Sequence, residues 1–94
     1  MKKYFVYLMA STSNRYLYIG ITSNMLQRVH DHKVHRYGGF TEQHDVTKLV
    51  YYEIYYYVNN AISREKQLKK WNRSWKEQLI NNINPQWLDL TYEL

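Results

Sequence analysis

Cysteine is absent from the 94 residues. This excludes disulfide stapling and any metal site built on thiolates. Proline occurs once and glycine three times, and no repeat, low-complexity segment or internal domain boundary interrupts the chain. No apolar stretch approaches the roughly 20 residues of a membrane-spanning helix. The opening Met-Lys-Lys-Tyr-Phe-Val-Tyr-Leu-Met-Ala faintly imitates a signal peptide. Its apolar run is short, holds two tyrosines and leads straight into Ser11-Thr12-Ser13-Asn14, so that reading is rejected. The expectation is a soluble cytoplasmic protein with one domain over residues 1–94, and no membrane partner.

What the chain does have is tyrosine and positive charge. Eleven residues are tyrosine, and 45% are hydrophobic. The core is small, and many of its rings carry hydroxyls that need partners. Stability must come from packing, with a partner or dimer as a further aid. The formal net charge of +5 favours polyanionic partners, although many small soluble domains are mildly basic.

Residues 3–10 read as a strand, 11–15 as a polar turn and 16–21 as a second strand, giving an antiparallel hairpin. Thr22-Ser23-Asn24 supplies cap oxygens for a helix from 25 to about 35. Gly38-Gly39 breaks the pattern. Residues 47–57 form the longest β-like run. Asn59-Asn60 then caps a helix from Ala61 with a near-3.6 apolar period through Ile62, Leu68, Trp71, Trp75, Leu79 and Ile80. It divides near Asn72-Arg73-Ser74. The tail is irregular and pinned by Trp87 and Leu90. The order is β-β-α-β-α-α. The predicted class is α+β (α/β layered): a small three-stranded antiparallel or mixed sheet flanked by helices.

Several residues have chemistry to offer. Tyr7 and Tyr18 lie on paired strands, and their hydroxyls converge if they share a face. Packing is an equally ordinary use of a tyrosine. Arg28 and His32 are four apart on the first helix, with Leu26 and Val29 on a stripe that can bury against the sheet. Arg28 suits a phosphate clamp. His32 suits a proton carrier near pH 7, and both also suit a solvated face. Glu65 lies three residues from both Ile62 and Leu68, beside the buried stripe. A carboxylate there needs a cation or a metal. Mg2+ takes one or two carboxylates with water and phosphate; Lys69, at i+4, offers an ion pair instead. Arg64, Lys66, Lys69, Lys70, Arg73 and Lys76 make the helix basic, and with Trp71 and Trp75 they could track a phosphate backbone. The tryptophans equally suit a core, and the lysines a solubilising surface. Glu53 is a rival carboxylate on a strand face that reads as solvated. Four histidines without cysteine or an HxxxH pair argue against structural zinc.

Taken in order, these pieces resemble the GIY-YIG nuclease superfamily, and more closely its small single-domain bacterial branch of uncharacterised role. Phe5-Val6-Tyr7 and Tyr18-Ile19-Gly20 stand as its two tripeptides. Arg28 with His32, Gly39-Phe40-Thr41, Leu49-Val50-Tyr51-Tyr52-Glu53, and Ala61-Ile62 leading to Arg64-Glu65-Lys66 follow, completed by Lys76 and Asn84-Pro85-Gln86-Trp87. The resemblance implies a GIY-YIG endonuclease-like fold and hydrolysis of phosphodiester bonds. Tyr7 would be the general base or its relay. Tyr18 would shape the site, and Arg28 would stabilise phosphate charge. Glu65 would hold one divalent metal, Mg2+ or Mn2+. Gly20 would let the backbone approach closely, and Asn84 is a candidate for the family's late asparagine. Two departures stand out: Phe5 replaces the first glycine, and Ile21 replaces a lysine that the excision-repair members carry.

The resulting expectation is a metal-dependent endonuclease on DNA, with RNA the second choice, directed by structure rather than base sequence and acting as a monomer or weak homodimer. Tyr7, Tyr18, Arg28, His32 and Glu65 should converge on one concave surface. The rivals are a non-catalytic nucleic-acid-binding module and a protein-interaction domain that pairs through residues 47–57.

Overall fold

The computed structural model describes residues 1–35 and 38–94. Three strands, β1 (Tyr4–Ser11), β2 (Leu17–Thr22) and β3 (Val46–Tyr55), form an antiparallel sheet in the order β2-β1-β3. The sheet is therefore antiparallel throughout, and the hairpin is formed. Its turn closes because the Ser11 hydroxyl oxygen accepts the backbone N–H groups of Arg15 and Tyr16, both at 3.0 Å. Asn14 takes the left-handed backbone there (φ 62°), a conformation asparagine tolerates better than most residues.

Helices cover both faces. Val6, Leu8, Ala10, Ile19 and Val50 pack with Ala61 and Leu68 of α3 (Val58–Lys70) and with Ile80 of α4 (Arg73–Ile83). Tyr7, Met9, Val46 and Leu49 pack on the other face with Met25 and Val29 of α1 (Met25–Lys33) and with Leu90. β1 is sandwiched between the two layers, so every residue from Val6 to Ser11 is buried.

Four expectations need correction. A short helix, α2 (Gly39–Gln43), starts where the double glycine reads as a break. α3 begins at Val58, before Asn59-Asn60. Its N-cap is Tyr57 in extended backbone, without a side-chain cap bond, so the asparagines are helical rather than capping. On α1 the buried stripe is Met25, Val29 and His32, while Leu26 is 60% exposed; the predicted phase was one residue off. Finally, of the spaced apolar residues on α3 and α4, Ala61, Leu68 and Ile80 are buried but Ile62 and Trp75 are exposed.

The α3–α4 division lies at Trp71-Asn72, close to its expected place. The Asn72 side chain caps α4 by accepting the Trp75 N–H at 2.9 Å. Beyond Asn84 the chain is pinned by Trp87 and Leu90, as expected, and it ends in a 3-10 turn (Leu90–Glu93).

Candidate active site

The site begins with strand register. Tyr7 pairs with Gly20 across β1 and β2, and Met9 pairs with Tyr18. Side chains alternate along a strand, so Tyr7 and Tyr18 are diagonal neighbours on one face. Their ring centroids are 6.3 Å apart. Gly20 makes the arrangement sterically feasible. A Cβ at that position would lie 2.3 Å from the Tyr7 hydroxyl oxygen and 2.4 Å from Cζ. The glycine thus clears space for the Tyr7 ring itself, which differs from the close backbone approach that the motif implied.

α1 follows directly from β2 and is held by Asn24, whose Oδ1 accepts the Gln27 N–H at 3.1 Å. The inner stripe of α1 brings His32 under the tyrosines. Its Nε2 is 3.3 Å from the Tyr7 hydroxyl, and its ring centroid is 5.1 Å from that of Tyr18. Arg28, one turn earlier, donates from Nη1 to the Tyr7 oxygen at 3.4 Å. Burial drives the His32 pKa down to about 4, Arg28 adds to the shift, and Asp31 opposes it. His32 is therefore neutral at pH 7, and its Nε2 shares a hydrogen bond with the Tyr7 hydroxyl whose direction follows the imidazole tautomer. It does not titrate near neutrality, contrary to the sequence expectation. The Tyr18 hydroxyl has no hydrogen-bond partner among the described residues, which leaves it available to a ligand. Asp31, overlooked in the sequence, is buried on the same helix and accepts from Gln27 Nε2 at 3.0 Å. A lone aspartate beside a histidine carries no sequence signal of burial, so nothing pointed to it.

Glu65 belongs to the other helical layer. Ala61 and Leu68 mark the line along which α3 faces the sheet. Each helical residue turns by about 100°, so Arg64 and Glu65 flank that line on opposite sides. Arg64 reaches Glu53 on β3; Glu65 consequently lies on the flank toward β2. The structure thus brings Tyr7, Tyr18, Arg28 and His32 together on one face, whereas Glu65 lies on α3 in the opposite helical layer; the expected convergence of all five on one concave surface is not observed, because α3 packs on the face of the sheet away from the Tyr7 ring. Its carboxylate is largely buried, at 16% side-chain exposure, with the Lys69 ammonium at 3.6 Å. No group of three His, Asp or Glu suited to a metal cage occurs among the described residues. A single carboxylate suits a hydrated Mg2+ or Mn2+ completed by water and substrate oxygens, not a dedicated protein cage.

The basic residues divide by what they touch. Arg64 donates to both Glu53 carboxylate oxygens and to Gln67. Glu53 also accepts from the hydroxyls of Tyr51 and Tyr55. Burial alone would raise the Glu53 pKa, but the Arg64 and tyrosine hydrogen bonds outweigh it and hold the pKa low. Burial and the bond to Glu53 push Tyr55 up to about 12. Glu53 is therefore a structural anion inside its own cluster, and the solvated face expected for it is not observed. Arg73 donates to the carbonyls of Asn14 and Arg15, both at 2.6 Å, and to Glu77; it grips the β1–β2 turn. Lys66, Lys69 and Lys70 are exposed, and Lys76 is half-buried. Asn84 is 5% exposed and satisfied by backbone. Its Nδ2 donates to Val50 O and Leu88 O, and its Oδ1 accepts Leu88 N–H. That clamp, rather than substrate contact, explains its burial.

Comparison with known proteins adds family context. The profile of the GIY-YIG catalytic domain matches residues 3–78. The UPF0213 protein of Syntrophus aciditrophicus is 36% identical over 92% of this chain and 98% of its own length. The UPF0213 protein SH2523 of Staphylococcus haemolyticus is 30% identical over 85% of this chain and 96% of its own. The solution structure of the UPF0213 protein BH0048 from Bacillus halodurans superposes with a TM-score of 0.59. That match covers 95% of this chain and 94% of that one, at 21% identity, and so speaks for the fold alone.

Proposed function

The chain belongs to the GIY-YIG nuclease family, and from that membership we propose that it is a metal-dependent endonuclease hydrolysing phosphodiester bonds in DNA. One observation carries the reading. A buried phenol oxygen, that of Tyr7, sits between a neutral imidazole at 3.3 Å and a guanidinium at 3.4 Å. Packing alone does not call for that trio, because a core tyrosine needs one partner and not a cation.

In this reading Tyr7 is the general base toward the attacking water or its relay, with His32 and Arg28 holding its hydroxyl oxygen in place. Arg28 offers positive charge to the Tyr7 oxygen and to the phosphate beside it. The Tyr18 hydroxyl orients a phosphate oxygen. Glu65 would hold the divalent ion, which supplies charge stabilisation to the leaving oxygen. Ile21 gives the site no lysine beside the base, so activation of Tyr7 rests on the Arg28 guanidinium that lies against its oxygen. The domain is small and offers little surface for base readout, which favours recognition of DNA structure over sequence. The protein would work in the cytoplasm as a monomer or weak homodimer, with DNA preferred to RNA.

The test is cleavage of single-stranded, nicked, flapped and branched DNA with Mg2+ or Mn2+. Tyr7→Phe keeps the ring and removes the hydroxyl. We expect it to lose about 100-fold or more in rate, in line with general acid–base contributions, and to melt only modestly lower because His32 and Arg28 each lose a partner. A wild-type protein that binds these substrates without cutting any of them would favour the non-catalytic module.

A further inference from the structure

Trp75 is 53% exposed, although its helical spacing predicted a core position. The Trp71 ring stands perpendicular to it, with centroids 5.7 Å apart and an interplanar angle of 89°. With Gln78, Leu79 and Asn82 the two indoles line an open cleft of about 290 Å3. The α3–α4 elbow fixes this geometry. Asn72 caps the turn that presents Trp75. The Arg64 guanidinium lies 5.0 Å from the Trp71 ring centroid and is itself held by Glu53.

Charge identifies the occupant. Across α3 and α4 there are six Lys and Arg side chains against Glu65 and Glu77, a net of +4 within the chain's +5. The hairpin that carries the cleft therefore attracts a polyanion and repels a second copy of itself. A nucleobase offers a π-face to an indole and polar edges to the side-chain amides of Gln78 and Asn82. We infer that the Trp71–Trp75 cleft is a stacking slot for an unpaired nucleobase of a bound nucleic-acid strand. The inference deepens the nuclease reading by giving the strand a second foothold, away from the Tyr7 cluster. The binding it predicts requires no cleavage.

Fluorescence anisotropy in chelator tests it. The probes are a short labelled oligothymidylate, its oligouridylate counterpart, a duplex of equal length, and the oligothymidylate with central abasic positions. The abasic strand keeps every phosphate and removes the bases, so it needs no protein variant. Wild type should bind the intact single strands better than the duplex, and the abasic strand about ten-fold more weakly. Trp75→Ala should lose a similar factor on the intact strand and nothing further on the abasic one, while Trp75→Phe retains most of the affinity. The two intact strands separate DNA from RNA as the source of the base. Equal affinity for intact and abasic strands would overturn the slot. So would a wild-type dimer in sedimentation that Trp75→Ala dissolves, since that assigns the cleft to self-association. A protein that discriminates abasic from intact strands but never cleaves would keep the slot and remove the nuclease. One that cleaves without discriminating would do the reverse.

Discussion

At the scale of single residues, the site depends on what a glycine leaves out. Tyr7 is fully buried, and its ring occupies the volume that a Cβ at position 20 would fill. Gly20→Ala should overpack this contact, lower stability by about 1–3 kcal/mol and displace the Tyr7 hydroxyl from His32. Chemical denaturation and cleavage should both register the change. Unchanged activity would mean that the ring position does not matter to the chemistry. His32 gives a second signature. The unfolded chain protonates this histidine near 6.5 and the folded chain only near 4, because burial, aided by Arg28, disfavours the imidazolium. The unfolded state therefore binds more protons between those values, and stability falls as pH drops from 6.5 to about 4. The loss attributable to His32 is on the order of 3 kcal/mol. Urea titrations across that window should show it in wild type and lose most of it in His32→Gln. The tyrosine pair and the Arg28/His32 spacing were legible in the sequence because period-2 and period-4 geometry fix them. The depressed pKa was not, because it follows from how deeply α1 seats on the sheet.

At the scale of elements, the strands and helices followed their hydrophobic periods, and errors gathered at edges. The α1 phase slipped because Met25 and Leu26 are both apolar and only packing decides which goes inside. The start of α3 moved to Val58 because asparagines suit a first turn as well as a cap. Glu53 looked solvated because Tyr51 and Tyr55 were read as a surface stripe; Arg64, arriving from another element, turns that stripe into a partly buried ion cluster. Asn84 shows the same limit. Its position made it a candidate for the family's late asparagine, and its three backbone bonds tie the C-terminal segment to β3. Asn84→Ala strands buried backbone groups and should cost about 2 kcal/mol or more. Thermal melting would show the loss, and cleavage per folded molecule at low temperature should be unchanged. Normal stability with lost activity would return Asn84 to the active site.

At the scale of the whole molecule, a three-stranded sheet separates two helical layers, and the proposed site would have to wrap around its β2 edge. β2 packs against α3, and its Tyr18 meets His32 of the other layer. In the proposed reading one face contributes Tyr7, Tyr18, Arg28 and His32, and α3 contributes Glu65. The sequence order of these residues was readable, but their division between two layers was not, because it depends on which face of the sheet α3 packs against. Glu65 is accordingly where the account is most directly tested. The decisive measurement is Mg2+-dependent DNA cleavage by Glu65→Gln, read beside its thermal unfolding in chelator. This change keeps the size of the side chain and removes its charge. The account predicts that cleavage collapses while the melting temperature in chelator holds or rises, since a largely buried charge is gone. A variant that cleaves at the wild-type rate while melting at lower temperature would make Glu65 an ion-pair partner of Lys69 and contradict the proposed active site.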